Sequence, residues 1–348
     1  MEKTPYLEDI LAEPQALHAV MDGFTPALLG DLPAEVARLR FDRIIITGMG
    51  ASCAATYPAW LIMIRAGLPV YWIETGELLY SCPEMITPRT LLWVVSNSGQ
   101  STEVQRLIAS LPKDGSVFVL ASTNQPDSPL AKAASLCLPL YSGPDLSVSS
   151  RSYVATLAVT QFIALTLSGQ SISFAMDDLL VTVRGIEMYL AVLKNRLEDI
   201  ARITGVVDRL VIVGRGPSYA TVVEGSLLLK EAMKVQAEGM STGQFWHGPL
   251  EVLDSRYTVI FVEGDSSASP EDREMALRLV PTGPKVLWLS PQNHPDLPTL
   301  PTPAGRGIGL PIAEILPLQL LALQISRETG ITPANFRYLY KIVDTRAG

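Results

Sequence analysis

Basic character, cysteine, histidine and charge are all scarce in this chain. Its 348 residues carry 27 Lys and Arg against 35 Asp and Glu, and the net charge is −8. No basic run occurs, which argues against a nucleic-acid partner, since phosphate-backbone binding needs clustered positive charge. Cys53, Cys82 and Cys137 stand far apart, with no Cys-x-x-Cys and no Cys/His cluster. That spacing excludes a disulfide framework and a structural zinc site, and neither metal nor cofactor is expected. The amino-terminal run MEKTPYLEDILAEP is acidic and polar, unlike a secretory signal, so a cytoplasmic location is expected.

A long uncharged run is present at 152–176, but Ser, Thr and Gln interrupt it and Gly169 breaks it. A membrane span needs roughly 20 predominantly apolar residues, so the run reads as a buried helix of a large core. Hydrophobic residues make up 48% of the chain, enough for such a core.

One pattern is written twice. RIIITGMGASC at 43–53 and RLVIVGRGPSY at 209–219 share Arg, an apolar β-branched run and Gly-x-Gly-x-Ser at an offset of 166 residues. A buried strand ending in a glycine turn that opens a helix begins a βαβ unit. A repeat near half the chain length implies two copies of one domain. Dinucleotide binding is not expected, because the third glycine of its fingerprint is missing from both copies.

Apolar runs at 69–73, 90–95, 116–121 and 136–140 read as further strands of the first copy, with helices at 54–67 and 102–111. In the second copy, strands are expected at 209–213, 257–262 and 285–289, and helices at 219–235, 270–280 and 312–328. The fold class is therefore α/β: two three-layer αβα domains, each a parallel sheet between helices. The boundaries follow as 1–176 with an amino-terminal helical segment, a helical link at 177–206, and 207–348. Pro-rich 291–303 reads as a surface loop.

The copies differ where chemistry is expected. After the 90–95 strand comes Ser96-Asn97-Ser98-Gly99-Gln100-Ser101-Thr102, opening a helix. Hydroxyls and N–H groups at a helix start make an anion site without lysine, though helix capping alone also uses such residues. The window 166 residues on, Val262-Glu263-Gly264-Asp265, is acidic and repels phosphate. The second copy instead carries Glu224 and Glu231, seven apart on one helical face beside Leu227 and Leu228, then His247 within Trp-His-Gly-Pro. A carboxylate beside apolar surface loses solvation, its pKa rises, and it can move protons near neutrality. These differences imply one composite site, with phosphate held by the first copy and acid–base groups supplied by the second. A third patch, Leu146 to Ser152, offers hydroxyls that suit either a polyol or a helix cap.

This combination resembles the SIS (sugar isomerase) domain family in tandem form, above all the isomerase half of glutamine–fructose-6-phosphate aminotransferase and its stand-alone relatives. The likeness runs from about residue 40 to the carboxy terminus. It is most specific in GRGPSYATVVEGSLLLKEAMKVQAEGMSTGQFWHGPLEVLD, SNSGQSTEV, LPLQLLALQIS and RYLYKIVDTR. The resemblance implies that Ser96, Asn97, Ser98 and Ser101, with Gln100 in the same loop, grip a sugar phosphate. Ser52, in the turn with Gly50 and Ala51, also touches it. It implies further that Val148 and Ser150 line the sugar, and that Glu231 moves the proton between C1 and C2 with Glu224 on the same helix. His247 would assist ring opening, lent by a neighbouring subunit of a homodimer, and Lys341 would face the open-chain carbonyl.

Three positions depart from the family. Leu228 stands where a lysine is common, Trp246 where lysine or leucine is, and Arg151-Ser152 where Thr-Lys is. Loss of the lysine is expected to raise the Glu231 pKa. No cysteine lies near the amino terminus, so glutamine hydrolysis by that route is not expected. The expected activity is isomerisation of a hexose phosphate or deamination of an amino-hexose phosphate. Two alternatives remain, a non-catalytic sugar-phosphate regulator and a phosphoglucose/phosphomannose-type isomerase.

Overall fold

The computed structural model describes residues 3–265 and 267–338. They fall into two compact units. One comprises 15–145 and 151–176; the other comprises 3–14, 146–150 and 177–336. The segment 177–206, expected as a link between domains, clusters with the second unit as the helices Ser173–Ala191 and Leu193–Thr204, and so does the amino-terminal helix Pro5–Leu11.

The first unit is built on β1 (Arg43–Gly48), β2 (Val70–Trp72), β3 (Thr90–Val95), β4 (Phe118–Thr123) and β5 (Leu136–Pro139). All are parallel, in the order β2-β1-β3-β4-β5. The runs IIIT and LLWVV are buried on both faces, as an internal parallel sheet requires. On one face Ile45, Leu92, Val94 and Val119 pack on Leu78, Val104, Leu107 and Leu130 from the helices. The helix Gly50–Arg65 packs against Arg151–Leu167. The uncharged run is thus two helices, the first almost wholly buried, with a break at 168–172.

The second unit repeats the plan with β6 (Arg209–Gly214), β7 (Gln236–Ser241), β8 (Tyr257–Val262), β9 (Lys285–Ser290) and β10 (Thr299–Pro301), in the order β10-β9-β8-β6-β7. Val211, Val213, Val259, Phe261 and Trp288 pack on Phe245, Ala276 and Leu279. The helix Tyr219–Met233 lies on β6 and β7 and against Leu310–Thr329. Two edge strands escaped the sequence reading. QAEGMS forms β7 although its side chains are mostly exposed or half-buried, because an edge strand needs no continuous apolar run. Within Pro-rich 291–303, the residues Thr299–Pro301 pair with β9, and proline is tolerated on an outermost strand.

Candidate functional site

In each sheet the chain leaves the first strand for one neighbour and returns on the other side. The switch points fall between β1 and β3 and between β6 and β8, and crevices beyond strand carboxyl ends at such points are where open α/β sheets bind ligands. In the first unit Gly48 of β1 pairs with Val95 of β3, so the Gly-x-Gly turn and the serine loop emerge side by side. A Cβ on Gly48 would lie 2.9 Å from the Val95 carbonyl oxygen. Gly50 has φ +51° and starts the helix; Ala51 and Ser52 are half-buried in its first turn, and Ser52 N–H donates to the Met49 carbonyl at 3.1 Å.

The serine loop is self-braced. Ser96 N–H donates to the Ser122 carbonyl at 3.0 Å, and Ser96 Oγ accepts from Gly99 N–H at 3.1 Å. Ser98 Oγ accepts from Gln100 N–H at 3.2 Å. Gly99 has φ +60°, and a Cβ there would lie 2.3 Å from Ser128 Oγ, so the turn requires glycine. Asn97 is spent on the scaffold: its Nδ2 donates to Asp145 Oδ2 at 3.3 Å and its Oδ1 accepts from Asn124 Nδ2 at 2.6 Å. Ser101 occupies the cap position of the helix Thr102–Ser110, yet its hydroxyl makes no capping bond and is buried without a partner. Helix capping therefore does not account for Ser101. The loop offers small dipoles and a helix start, with Glu103 in the first turn.

In the second unit, Glu224, Leu228 and Glu231 share a face of the helix Tyr219–Met233. Glu224 and Leu228 are buried, and Glu231 is half-buried at the exit. Glu224 lies near enough to Tyr6 to raise that phenol, after burial itself and Glu13. Burial pushes the Glu231 carboxyl above the ordinary range, while Lys234 and then Lys230 pull it back. Two cations therefore act on Glu231 although position 228 of the same helix is leucine. Lys234 ends the helix at φ +60°, and its Nζ donates to the Glu231 carbonyl at 2.6 Å. His247 is exposed at the end of the short helix Thr242–Trp246, followed by Gly248 at φ +132°. Lys341 lies outside the described residues.

The Val148–Ser150 patch belongs to this unit, both side chains are buried, and Ser150 Oγ donates to the Val148 carbonyl at 3.3 Å. Its anchor is Asp9, which the sequence reading passed over. The buried Asp9 carboxylate accepts from Leu146 N–H at 2.8 and 2.9 Å and from Ser147 N–H at 2.8 Å. Replacing Asp9 with Ala is expected to cost about 2 kcal/mol, because two N–H groups lose their acceptor. Urea denaturation of the two proteins measures this, and an unchanged midpoint would show that the anchor is dispensable.

The acidic loop after β8 lies at the corresponding switch point. Glu263, Asp265, Arg306, Gly307, Leu310 and Glu314 line a cavity of about 240 Å³ there. Glu314, also unanticipated, is buried in the helix Leu310–Thr329; its oxygens accept from Ser218 Oγ at 2.9 Å and Thr221 Oγ1 at 3.1 Å. Burial, with Asp265 and Glu263 adding repulsion, pushes its carboxyl up to about 8 despite those two bonds.

Comparison with known proteins matches residues 40–166 to the SIS domain. The chain is 28% identical over 316 residues to glutamine–fructose-6-phosphate aminotransferase [isomerizing] of Gloeobacter violaceus, covering 87% of this chain and 52% of the relative. It thus spans about half the length of that curated relative. Among solved structures, the C-terminal domain of glucosamine-fructose-6-phosphate aminotransferase from Francisella tularensis superposes with TM-score 0.83 at 19% identity, covering 95% of this chain and 98% of that one. The tagatose-6-phosphate ketose/aldose isomerase of Escherichia coli gives 0.80 at 18% identity, covering 99% and 97%. The glucosamine-6-phosphate deaminase of Thermotoga maritima gives 0.73 at 18% identity, covering 98% and 99%. The repeated sheet, the serine loop and these likenesses agree: residues 40–166 match the SIS domain, and the chain resembles the isomerase domain of glutamine–fructose-6-phosphate aminotransferase and stand-alone phosphosugar isomerases and deaminases.

Proposed function

We propose that this protein isomerises a hexose phosphate, or deaminates an amino-hexose phosphate, of the fructose 6-phosphate/glucosamine 6-phosphate type. Glu231 takes the proton from one of C1 and C2 and returns it to the other. In deamination the resulting imine takes up water and releases ammonia, leaving the ketose phosphate. The observation that carries the reading is the Glu231 carboxyl, raised by burial and flanked by Lys230 and Lys234. A proton shuttle works best when its pKa lies toward the operating pH. The serine loop supplies the phosphate grip, in which Ser98, Ser101 and first-turn N–H groups hold the sugar away from the reacting carbons. His247, exposed on its own protomer, is assigned to ring opening in a neighbouring copy, and Lys341 to the developing oxyanion.

The direct experiment incubates the full chain with glucosamine 6-phosphate and, separately, fructose 6-phosphate. Ammonia together with fructose 6-phosphate identifies a deaminase. Aldose–ketose interconversion without ammonia identifies an isomerase. Stabilisation by sugar phosphates without turnover identifies a sensor, and a chain that neither binds nor converts any hexose phosphate ends the proposal. Melting-temperature shifts report the binding arm, since a ligand of the native state raises the transition. With the same measurement, Ser98→Ala is expected to weaken phosphorylated sugars about tenfold, one lost hydrogen bond to a charged group. Unphosphorylated sugars should be unaffected; equal loss for both would remove Ser98 from the phosphate grip.

A further inference from the structure

We infer that the buried Asp272 is a positioning residue for His247: its carboxylate ties the turn after β6 to the start of the short helix that ends at that histidine. Gly214 at the end of β6 is in register with Ser241 at the end of β7. Arg215 and Thr242 therefore leave the sheet side by side. Asp272 reaches both from the first turn of the helix Ser269–Leu279. Arg215 Nη2 donates to Asp272 Oδ1. Burial pushes the Asp272 carboxyl up, and Arg215 and then the Thr242 hydroxyl draw it back. The contact of Thr242 Oγ1 with the carboxylate falls short of a regular hydrogen bond. Yet this oxygen and Asp272 Oδ2 are both buried, and among the described residues no third group bonds either atom.

The helix Thr242–Trp246 has five residues, too few to hold itself. Its direction comes from ties to the rest of the unit. Phe245 is one tie: its ring is buried against Phe261, with centroids 6.3 Å apart. An apolar contact does not fix direction, so a helix held there alone could turn about it. The polar tie at Thr242, three residues earlier, is the second fixed point. With both set, the chain runs from Trp246 into His247, whose N–H donates to the Gln244 carbonyl at 3.1 Å. Stability alone does not call for a buried charge here, because apolar side chains of like size often serve a fold as well as a buried ion pair. Fixed orientation does call for one. The catalytic consequence rests on the assignment of His247 to ring opening.

Hydrogen exchange of the full chain tests the clamp without activity. In Asp272→Ala, which removes both ties, the amides of residues 243–248 are expected to exchange at least about tenfold faster, while those of β6 and β8 keep their protection. Thr242→Val keeps the volume and removes only the hydroxyl. It should open the same segment, and it carries the test if Asp272→Ala fails to fold. Turnover then tests the role. His247→Ala should lower kcat about 10²-fold, and either clamp variant about tenfold, through a misplaced histidine. Combined with His247→Ala, a clamp variant should cost less than about twofold more, since both act through one group. Combined with Ser98→Ala, it should cost its full factor. Unchanged exchange at 243–248 in the variants overturns the clamp. Losses that multiply fully with His247→Ala overturn the positioning role. A wild type that turns over no hexose phosphate ends the activity reading instead, and the exchange rates still decide the clamp.

Discussion

Glu231→Gln is expected to lower kcat for hexose-phosphate conversion by about 10²- to 10⁴-fold, the usual worth of a positioned acid–base group. Sugar-phosphate binding should persist, because glutamine keeps the shape and the proposed grip lies in other residues. A thermal shift close to wild type together with lost turnover is the signature of a group that acts in the transition state. Full turnover in the variant would place the proton transfer elsewhere. Loss of binding and turnover together would make Glu231 a substrate-holding group. The environment of the carboxyl gives the expectation its basis: it sits where the helix leaves the core, desolvated enough to be raised, with Lys234 and Lys230 beside it to accommodate the anion.

The second large effect concerns stability. The buried Glu314 carboxyl is raised from 4.5 to about 8 in the folded protein. Across that window the folded state holds a proton that the unfolded state has released, so stability falls as pH rises. Its contribution is fully present below 4.5 and lost as pH rises through about 8, at about 1.4 kcal/mol per unit. When Glu314 is neutral its proton needs an acceptor, and Thr221 can supply one, since Thr221 Oγ1 also lies 3.3 Å from the Pro311 carbonyl and can donate there instead. Glu314→Gln keeps a neutral hydrogen-bonding side chain of the same size. Denaturation midpoints at pH 6 and pH 8 should therefore fall less in the variant, by a difference of about 3 kcal/mol in unfolding free energy. Identical pH dependence in the two proteins would mean that Glu314 is ionised throughout.

The architecture was legible because its signals are local. An apolar run ending in Gly-x-Gly can do little but make a buried strand and a turn, and the offset of 166 residues exposed the duplication directly. The edge strands β7 and β10 were not legible, because they bury little and one contains proline. Of the candidate site residues, those of the serine loop and of the Glu231 helix declared themselves by unusual residues at element boundaries. Asp9 did not, since an aspartate in an acidic amino-terminal helix looks like solvated surface. Only the fold brings it to Leu146 and Ser147, 137 and 138 positions away. Glu314 did carry a signal, a lone charge inside LPIAEILPL. Such a group must be paired or neutral, but no sequence pattern names Ser218 and Thr221 as its partners.

The serine loop contains nothing that titrates. Ser96, Ser98, Gln100 and Ser101 bring hydroxyl, amide and N–H dipoles, and no lysine or histidine. If these residues hold the phosphate, no side chain of the loop changes charge with pH, so above the phosphate's own second pKa of about 6 acidity can tune the reacting end of the sugar without loosening the other end. Substrate capture and proton traffic then become separately adjustable, and natural variation in one need not disturb the other.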